Sequence, residues 1–381
     1  MAEKLSRNRF SGVLAVAVAA VLALPSSAFA QSPGDHSATQ AALNAFQAKG
    51  GPGAGIYAGD GTSSWALSAG TGIINTNRPI QPTDHYRIGS QTKTFTASVV
   101  LQLVDEGKVS LDAPIEKYLP GVVDGNGYDG NTIMVRQLLQ HTSGISVNGS
   151  PNPQANPDGT YTLAALVRDG LKHAPASAPG AAWLYSNTNY EILGMLIEQV
   201  TGMPVAQVIT SRIIQPLGLT ATTFPAAGDR SVPKPAVHGY RGVRVGPFFL
   251  WTDVWTSIEP SEDSTAGAMI STEQDLSAFY RALIGGKVVS AASLAEMEKS
   301  VSIGGSGSSS DLGYGLGLIK YNLSCGGVAW GHDGEITGYY AETLVTEDGR
   351  YASVVTNNMA VLNSPLTQMY KLLDTALCEK P

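Results

Sequence analysis

The sequence is poor in the residues that several kinds of chemistry require. Only two cysteines, Cys325 and Cys378, occur in 381 residues, which argues against a catalytic thiol. In an exported chain the pair reads as a disulfide, with two buried free thiols as the alternative. The six histidines show no metal-ligand spacing, so neither a metal nor any other cofactor is expected. Basic residues are outnumbered, 24 Lys and Arg against 31 Asp and Glu, and without a basic patch the chain has no footprint for nucleic acid. No apolar run reaches the ~20 residues of a spanning helix. Internal repeats and low-complexity tracts are also missing.

What is present begins with a targeting segment over residues 1–30. Lys4, Arg7 and Arg9 form a basic start, Val13 to Leu24 a short apolar run, and Ala28-Phe29-Ala30 a small-x-small cleavage site. The expectation is secretion after cleavage between Ala30 and Gln31, with no stable membrane anchor. Losing one acid and three bases takes the formal charge from −7 to −9. The remaining chain, about 350 residues, is long enough for a large core.

Ala38 to Lys49 reads as an amphipathic helix, and Gly55 to Ala58 with Ser64 to Ala69 as a hairpin. From Leu111 to about Pro260 the pattern is helices and long loops. Strands return in Tyr314 to Ile319, Val328 to Trp330, Tyr339 to Thr346 and Tyr351 to Asn357, before a last helix from Pro365 to Cys378. The fold class expected is α/β (α+β): an antiparallel sheet flanked by helices, built from 31–85 and 266–381, with a mostly helical region, 86–265, inserted.

The chemistry centres on Arg87-Ile88-Gly89-Ser90-Gln91-Thr92-Lys93, where an extended run meets an apolar helix. Residues three apart share a helix face, so Ser90 and Lys93 can share a proton. The helix N-terminus favours a developing anion, and a lysine among apolar neighbours loses hydration and proton affinity. Trp183-Leu184-Tyr185-Ser186-Asn187 offers a phenol and an amide. A cationic neighbour would lower the phenol's pKa and make it a base, though the stretch equally reads as a helix-capping turn. Trp330-Gly331-His332-Asp333-Gly334-Glu335 joins two strand-like runs with glycines that allow close backbone approach. Leu139-Gln140-His141-Thr142-Ser143-Gly144 is assigned a supporting turn.

Ser90-x-x-Lys93, Tyr185-Ser186-Asn187 and His332-Asp333-Gly334, in that order, resemble the three motifs of the serine penicillin-recognising enzymes, with their β-lactamase/transpeptidase-like fold. Within them the chain is most similar to the branch of class C β-lactamases, family VIII esterases and D-aminopeptidases, and to the soluble DD-carboxypeptidases of actinomycetes. Leu-Leu-Gln-His-Thr-Ser-Gly, Ala266 to Thr272, Tyr314 to Leu318 and both cysteines share in the likeness. The resemblance implies that Ser90 attacks a carbonyl while Lys93 and Tyr185 handle the proton. Asn187 would contact the acyl side, His332 would give electrostatic support beside Tyr185, and the N–H groups of Ser90 and Glu335 would hold the oxyanion.

The chain departs from the carboxypeptidases where they hold a substrate carboxylate. Asp333 and Glu335 stand in place of two hydroxyl residues, and Ile319 in place of an arginine. On a strand the two acids share a face and would repel a carboxylate by on the order of 1–4 kcal/mol. Gly334 lies between them, and Trp251 and Trp255, read as a loop before Ala266, form either an apolar wall for an aromatic acyl side chain or lid or core packing. The resulting reading is a secreted serine hydrolase cleaving small amide, peptide or ester substrates after a D-aminoacyl residue, the D preference coming from the resemblance alone. β-Lactams would act as inhibitors. The alternatives are a DD-carboxypeptidase or transpeptidase, a β-lactamase or carboxylesterase, and a non-catalytic binder.

Overall fold

The strands expected at the two ends of the chain pair into one eight-stranded antiparallel sheet in this computed structural model, which describes residues 36–146, 153–245, 248–303, 312–358 and 366–379. The expected targeting segment and its cleavage site lie outside these residues. The strands are β1 (Gly53–Gly59), β2 (Ser64–Gly70), β3 (Val301–Ser302), β4 (Leu312–Tyr314), β5 (Ile319–Asn322), β6 (Val328–Ile336), β7 (Tyr339–Thr346) and β8 (Tyr351–Thr356). Their order across the sheet is β2-β1-β8-β7-β6-β5-β4-β3. The N-terminal hairpin therefore adds onto the last strand, with Ala54 opposite Thr356.

Because side chains alternate across a strand, each central strand feeds two cores. Ile56, Tyr340, Leu344 and Val354 face the terminal helices α1 (Ser37–Gly50) and α5 (Leu366–Cys378), where Leu43, Phe46, Met369 and Leu372 are buried. Tyr57, Tyr339, Val345 and Val355 face the other side, with Phe95 and Phe279 stacked at 3.7 Å between ring centroids. These two rings belong to α2 (Thr92–Asp105) and α4 (Glu273–Ile284), which flank α3 (Asn187–Thr201) in chain order. Every residue of α2 from Thr92 to Leu101 is buried. A helix apolar on all sides has no solvent face to turn outward, so it becomes the axis on which the other helices pack.

Three expectations are corrected. Tyr314 to Ile319 is not one strand but the turn between β4 and β5, because Gly317 adopts φ +78° and a β-carbon there would lie 2.5 Å from Ala97 Cβ. Val328 to Ile336 is one continuous strand instead of two runs meeting at the glycines. The supposedly helical middle contains a hairpin, Tyr240–Val245 with Phe248–Asp253, so Trp251 lies on a strand and not in a loop.

Cys325 and Cys378 form a disulfide 53 residues apart in sequence, tying the turn after β5 to the end of α5. Closing a loop of that size restricts the unfolded chain by about 4 kcal/mol in the chain-entropy treatment. Replacing both cysteines by alanine is expected to lower the denaturant midpoint, with an m-value that rises as the unfolded chain expands. An unmoved midpoint would show that the bridge contributes nothing.

Candidate active site

Ser90 sits in a 3-10 turn, Gly89–Gln91, that leads directly into α2. Gly89 has φ +53°, and its backbone lies so close to β6 that a β-carbon would come 3.0 Å from the Glu335 nitrogen. At Gly334 a β-carbon would fall 2.0 Å from the Ile88 carbonyl oxygen. Two glycines thus let the nucleophile turn and the strand meet backbone to backbone, setting Gly89, and the Ser90 that follows it, beside Gly334 and Glu335.

One turn into the helix, Lys93 is fully buried. Its Nζ donates to Ser90 Oγ at 3.0 Å, Asn187 Oδ1 at 2.9 Å and the Ala266 carbonyl at 2.8 Å. No carboxylate lies within ion-pair distance of it among the described residues. Burial pulls its pKa down to about 7, against the more distant charges of Asp333, Asp263 and Glu191, which raise it. Those last two carboxyls are themselves displaced upward by burial, Glu191 to about 8 and Asp263 to about 6. When the ammonium loses one proton, two N–H bonds remain for Asn187 and Ala266, and the lone pair faces the Ser90 hydroxyl. That is the arrangement of a general base.

Tyr185 differs from its expectation. Its hydroxyl is buried without a hydrogen bond of ordinary length, and Lys93 Nζ lies over the ring, 4.8 Å from the centroid, instead of at the oxygen. Burial and the charge of Asp333 push the phenol well above the usual tyrosine range, only partly relieved by the Ser90 hydroxyl. A cation-lowered phenolate is therefore not its resting state. It is a neutral phenol beside the nucleophile, suited to relaying a proton.

His332 is fully buried on β6, with its ring 6.4 Å from that of Tyr185. Its Nδ1 lies 2.6 Å from the Asp333 carbonyl and 3.2 Å from the Asp333 carboxylate, and its Nε2 lies 2.9 Å from the Tyr314 hydroxyl. Its direct partners are thus Asp333 and Tyr314. Burial would raise the Asp333 pKa, but the His332 bond and the charges of His332 and Lys93 outweigh it and hold the carboxyl below its ordinary value. Glu335 is raised by burial and by Asp333.

These groups open on a cavity of about 490 Å³. Ser90, Tyr185, Asn187, Asp333 and Glu335 supply its polar lining, and Trp183, Ile303, Tyr314, Ile319 and Tyr370 its apolar walls. The structure therefore gathers Ile319, Asn187 and both acids at Ser90, with Lys93, His332 and Gly334 in supporting positions. It does not bring Trp251 there, and Trp255 stacks on His238 at 4.0 Å instead. Sequence reasoning gave no wall role to Trp183, Tyr314, Ile303 or Tyr370. The first two lay inside quoted motifs, whereas Tyr370, on the C-terminal helix, carried no local signal.

The Beta-lactamase family model matches residues 39–373. Penicillin-binding protein 4 of Amycolatopsis lactamdurans is 27% identical over 82% of this chain and 80% of that protein. Other curated relatives are longer, the chain spanning 41% of their length. Among solved structures, a D-stereospecific amidohydrolase from Streptomyces sp. is 41% identical with a TM-score of 0.79, over 91% of this chain and 100% of that one. A D-amino acid amidase from Ochrobactrum anthropi SV3, solved with D-phenylalanine, is 25% identical with a TM-score of 0.78, over 90% and 97%.

With Lys93 as the general base, acylation of Ser90 by an activated ester is expected to rise tenfold per pH unit up to an inflection near pH 7 and then level off. Lys93→Arg, which stays charged, should lose at least about a hundredfold at all pH values. A flat profile between pH 5 and 8 would contradict this assignment.

Proposed function

The chain belongs to the Beta-lactamase family and is a serine hydrolase of it, and from that premise we propose that it cleaves amide, peptide or ester bonds after a D-configured aminoacyl residue. The observation that carries the substrate side is the charge of the cavity. Asp333 and Glu335 both line it, Ile319 lies beside them, and no arginine or lysine is among its described lining residues. A substrate ending in a free carboxylate meets two acids and no cation, whereas an amide or a cationic leaving side meets a complementary surface. Trp183, Tyr314, Tyr370, Ile303 and Ile319 suit an apolar or aromatic side chain. The D preference is supported by the likeness to the Streptomyces amidohydrolase and the Ochrobactrum amidase.

In this reading the Lys93 amine takes the Ser90 proton as Oγ attacks the carbonyl. The amides of Ser90 and Glu335 receive the oxyanion. Tyr185, a neutral phenol, passes its proton to the leaving nitrogen, so the amine departs neutral, and the charge of the protonated Lys93 holds the phenolate until deacylation returns a proton to each of Tyr185 and Ser90. Water or a second amine then releases the acyl group from Ser90. The Cys325–Cys378 disulfide supports placing the enzyme in an oxidising, extracellular setting.

The test compares kcat/KM on D-phenylalanyl-D-alanine with its C-terminal amide, and on D- and L-phenylalanine p-nitroanilide. The amide is expected to be preferred by about five- to a thousandfold, the range given by 1–4 kcal/mol of repulsion. Asp333→Thr with Glu335→Thr should shrink that preference, and the D-anilide should exceed the L-anilide. A preference for the free carboxylate would return the chain to the carboxypeptidases, and equal rates on D and L would remove the stereochemical claim.

A further inference from the structure

His141 lies just beyond a short helix, Val135–Leu139, with φ +59°. A β-carbon is strained in this left-handed region, where asparagine, aspartate and histidine are the side chains most often accommodated. The backbone carbonyl of His141 accepts the Leu184 N–H at 2.8 Å, and its ring Nδ1 accepts the Ser186 N–H at 3.2 Å. The two bonds bracket Tyr185 on both sides. The same Nδ1 meets Asn189 Nδ2 at 3.0 Å, and that amide is oriented because its Oδ1 accepts from the Ser143 hydroxyl at 2.6 Å. Two donors on Nδ1 place the ring proton on Nε2 and keep the imidazole neutral. Burial, reinforced by Lys93 and His332, holds its pKa well below the ordinary value.

The ring also packs on the phenol it brackets. Its centroid is 4.3 Å from that of Tyr185, 5.0 Å from Tyr314 and 5.2 Å from Tyr190, and Nε2 has no hydrogen-bond partner among the described residues. The Tyr185 hydroxyl makes no ordinary hydrogen bond among the described residues, so its aim comes from its ring and its backbone. His141 holds both.

We propose that His141 is a positioning residue, fixing Tyr185 against the Ser90 hydroxyl by clamping the backbone on either side of the tyrosine and packing against its ring. The proposal rests on the reading that Tyr185 returns the proton to the leaving group. A misplaced phenol should then hurt a poor leaving group, which must be protonated, far more than a good one. Loss of general scaffolding would hurt both alike.

The experiment measures kcat/KM on D-phenylalanine amide and on D-phenylalanine p-nitrophenyl ester for wild type, Tyr185→Phe, His141→Gly and His141→Asn. Glycine accepts the left-handed backbone without strain while deleting the ring. Asparagine tolerates that backbone and carries an oxygen in place of Nδ1. Tyr185→Phe is expected to lose about a hundredfold or more on the amide, in the range of lost general acid catalysis, and little on the ester. His141→Gly should show the same selectivity at about tenfold or more, with the inflection near pH 7 unmoved, and His141→Asn should recover most of the amide rate. If His141→Gly does not fold, Asn189→Ala, which frees the ring without removing it, should show a smaller loss with the same selectivity. Selective loss in Tyr185→Phe with equal losses, or none, in the His141 or Asn189 variant overturns the positioning role alone. No selective loss in Tyr185→Phe overturns the proton role of the tyrosine and this proposal with it.

Discussion

A lysine buried with no carboxylate partner among the described residues is the constraint on which the rest of the structure depends. Removing an ammonium from water is costly unless it is paired or gives up its proton. Lys93 meets that cost with three oxygen acceptors and a pKa drawn down to about 7. Each acceptor comes from a different part of the chain: Ser90 from its own turn, Asn187 from the start of α3, and Ala266 from the segment before α4. The apolar surface of α2 is thus both the core of the helical half and the source of the base. A more hydrated lysine would stay protonated and leave Ser90 an ordinary hydroxyl.

The second requirement is a rigid wall opposite the nucleophile. The sheet supplies it, because β6 is an inner strand paired to β7 from Ala329 to Ile336 and to β5 from Val328 to Gly331. Its alternation sends His332 and Gly334 toward α2 and sends Asp333 and Glu335 into the cavity. Asp333 also faces Glu342 across the β6–β7 pair, and that buried carboxyl is pushed well above its usual range by burial and by the charge of Asp333. A protonated neighbour lets Asp333 keep its own charge at the cavity surface. Asp333 thus joins Glu335 at the cavity without a third anion, that of Glu342, on the same dry sheet face.

Much of this was legible in the residues, and the exceptions have physical reasons. The helix carrying Ser90 and Lys93 announced itself by being apolar all round, and spacing of two put Asp333 and Glu335 on one face of a strand. The β-turn at Gly317 was read as strand because its apolar neighbours alternate, while the positive φ comes from docking against Ala97. Trp251 was placed by nearness in sequence, and the hairpin that carries it away is held by pairing that short-range pattern did not suggest. Tyr370 reaches the cavity from the opposite end of the chain. The proton affinity of Tyr185 depends on how deeply the finished fold buries it, which no local motif encodes.

The central claim is that Ser90 carries the acyl group between bond cleavage and release, and trapping that intermediate tests it most directly. The protein would be mixed with a D-phenylalanyl ester, quenched in acid within one turnover, and analysed by intact mass and peptide mapping. The account predicts a mass increase of one phenylalanyl group on the peptide containing Ser90, absent in Ser90→Ala and greatly slowed in Lys93→Arg. Turnover without any adduct under conditions where deacylation limits the rate, or an adduct mapped to a different residue, would contradict it.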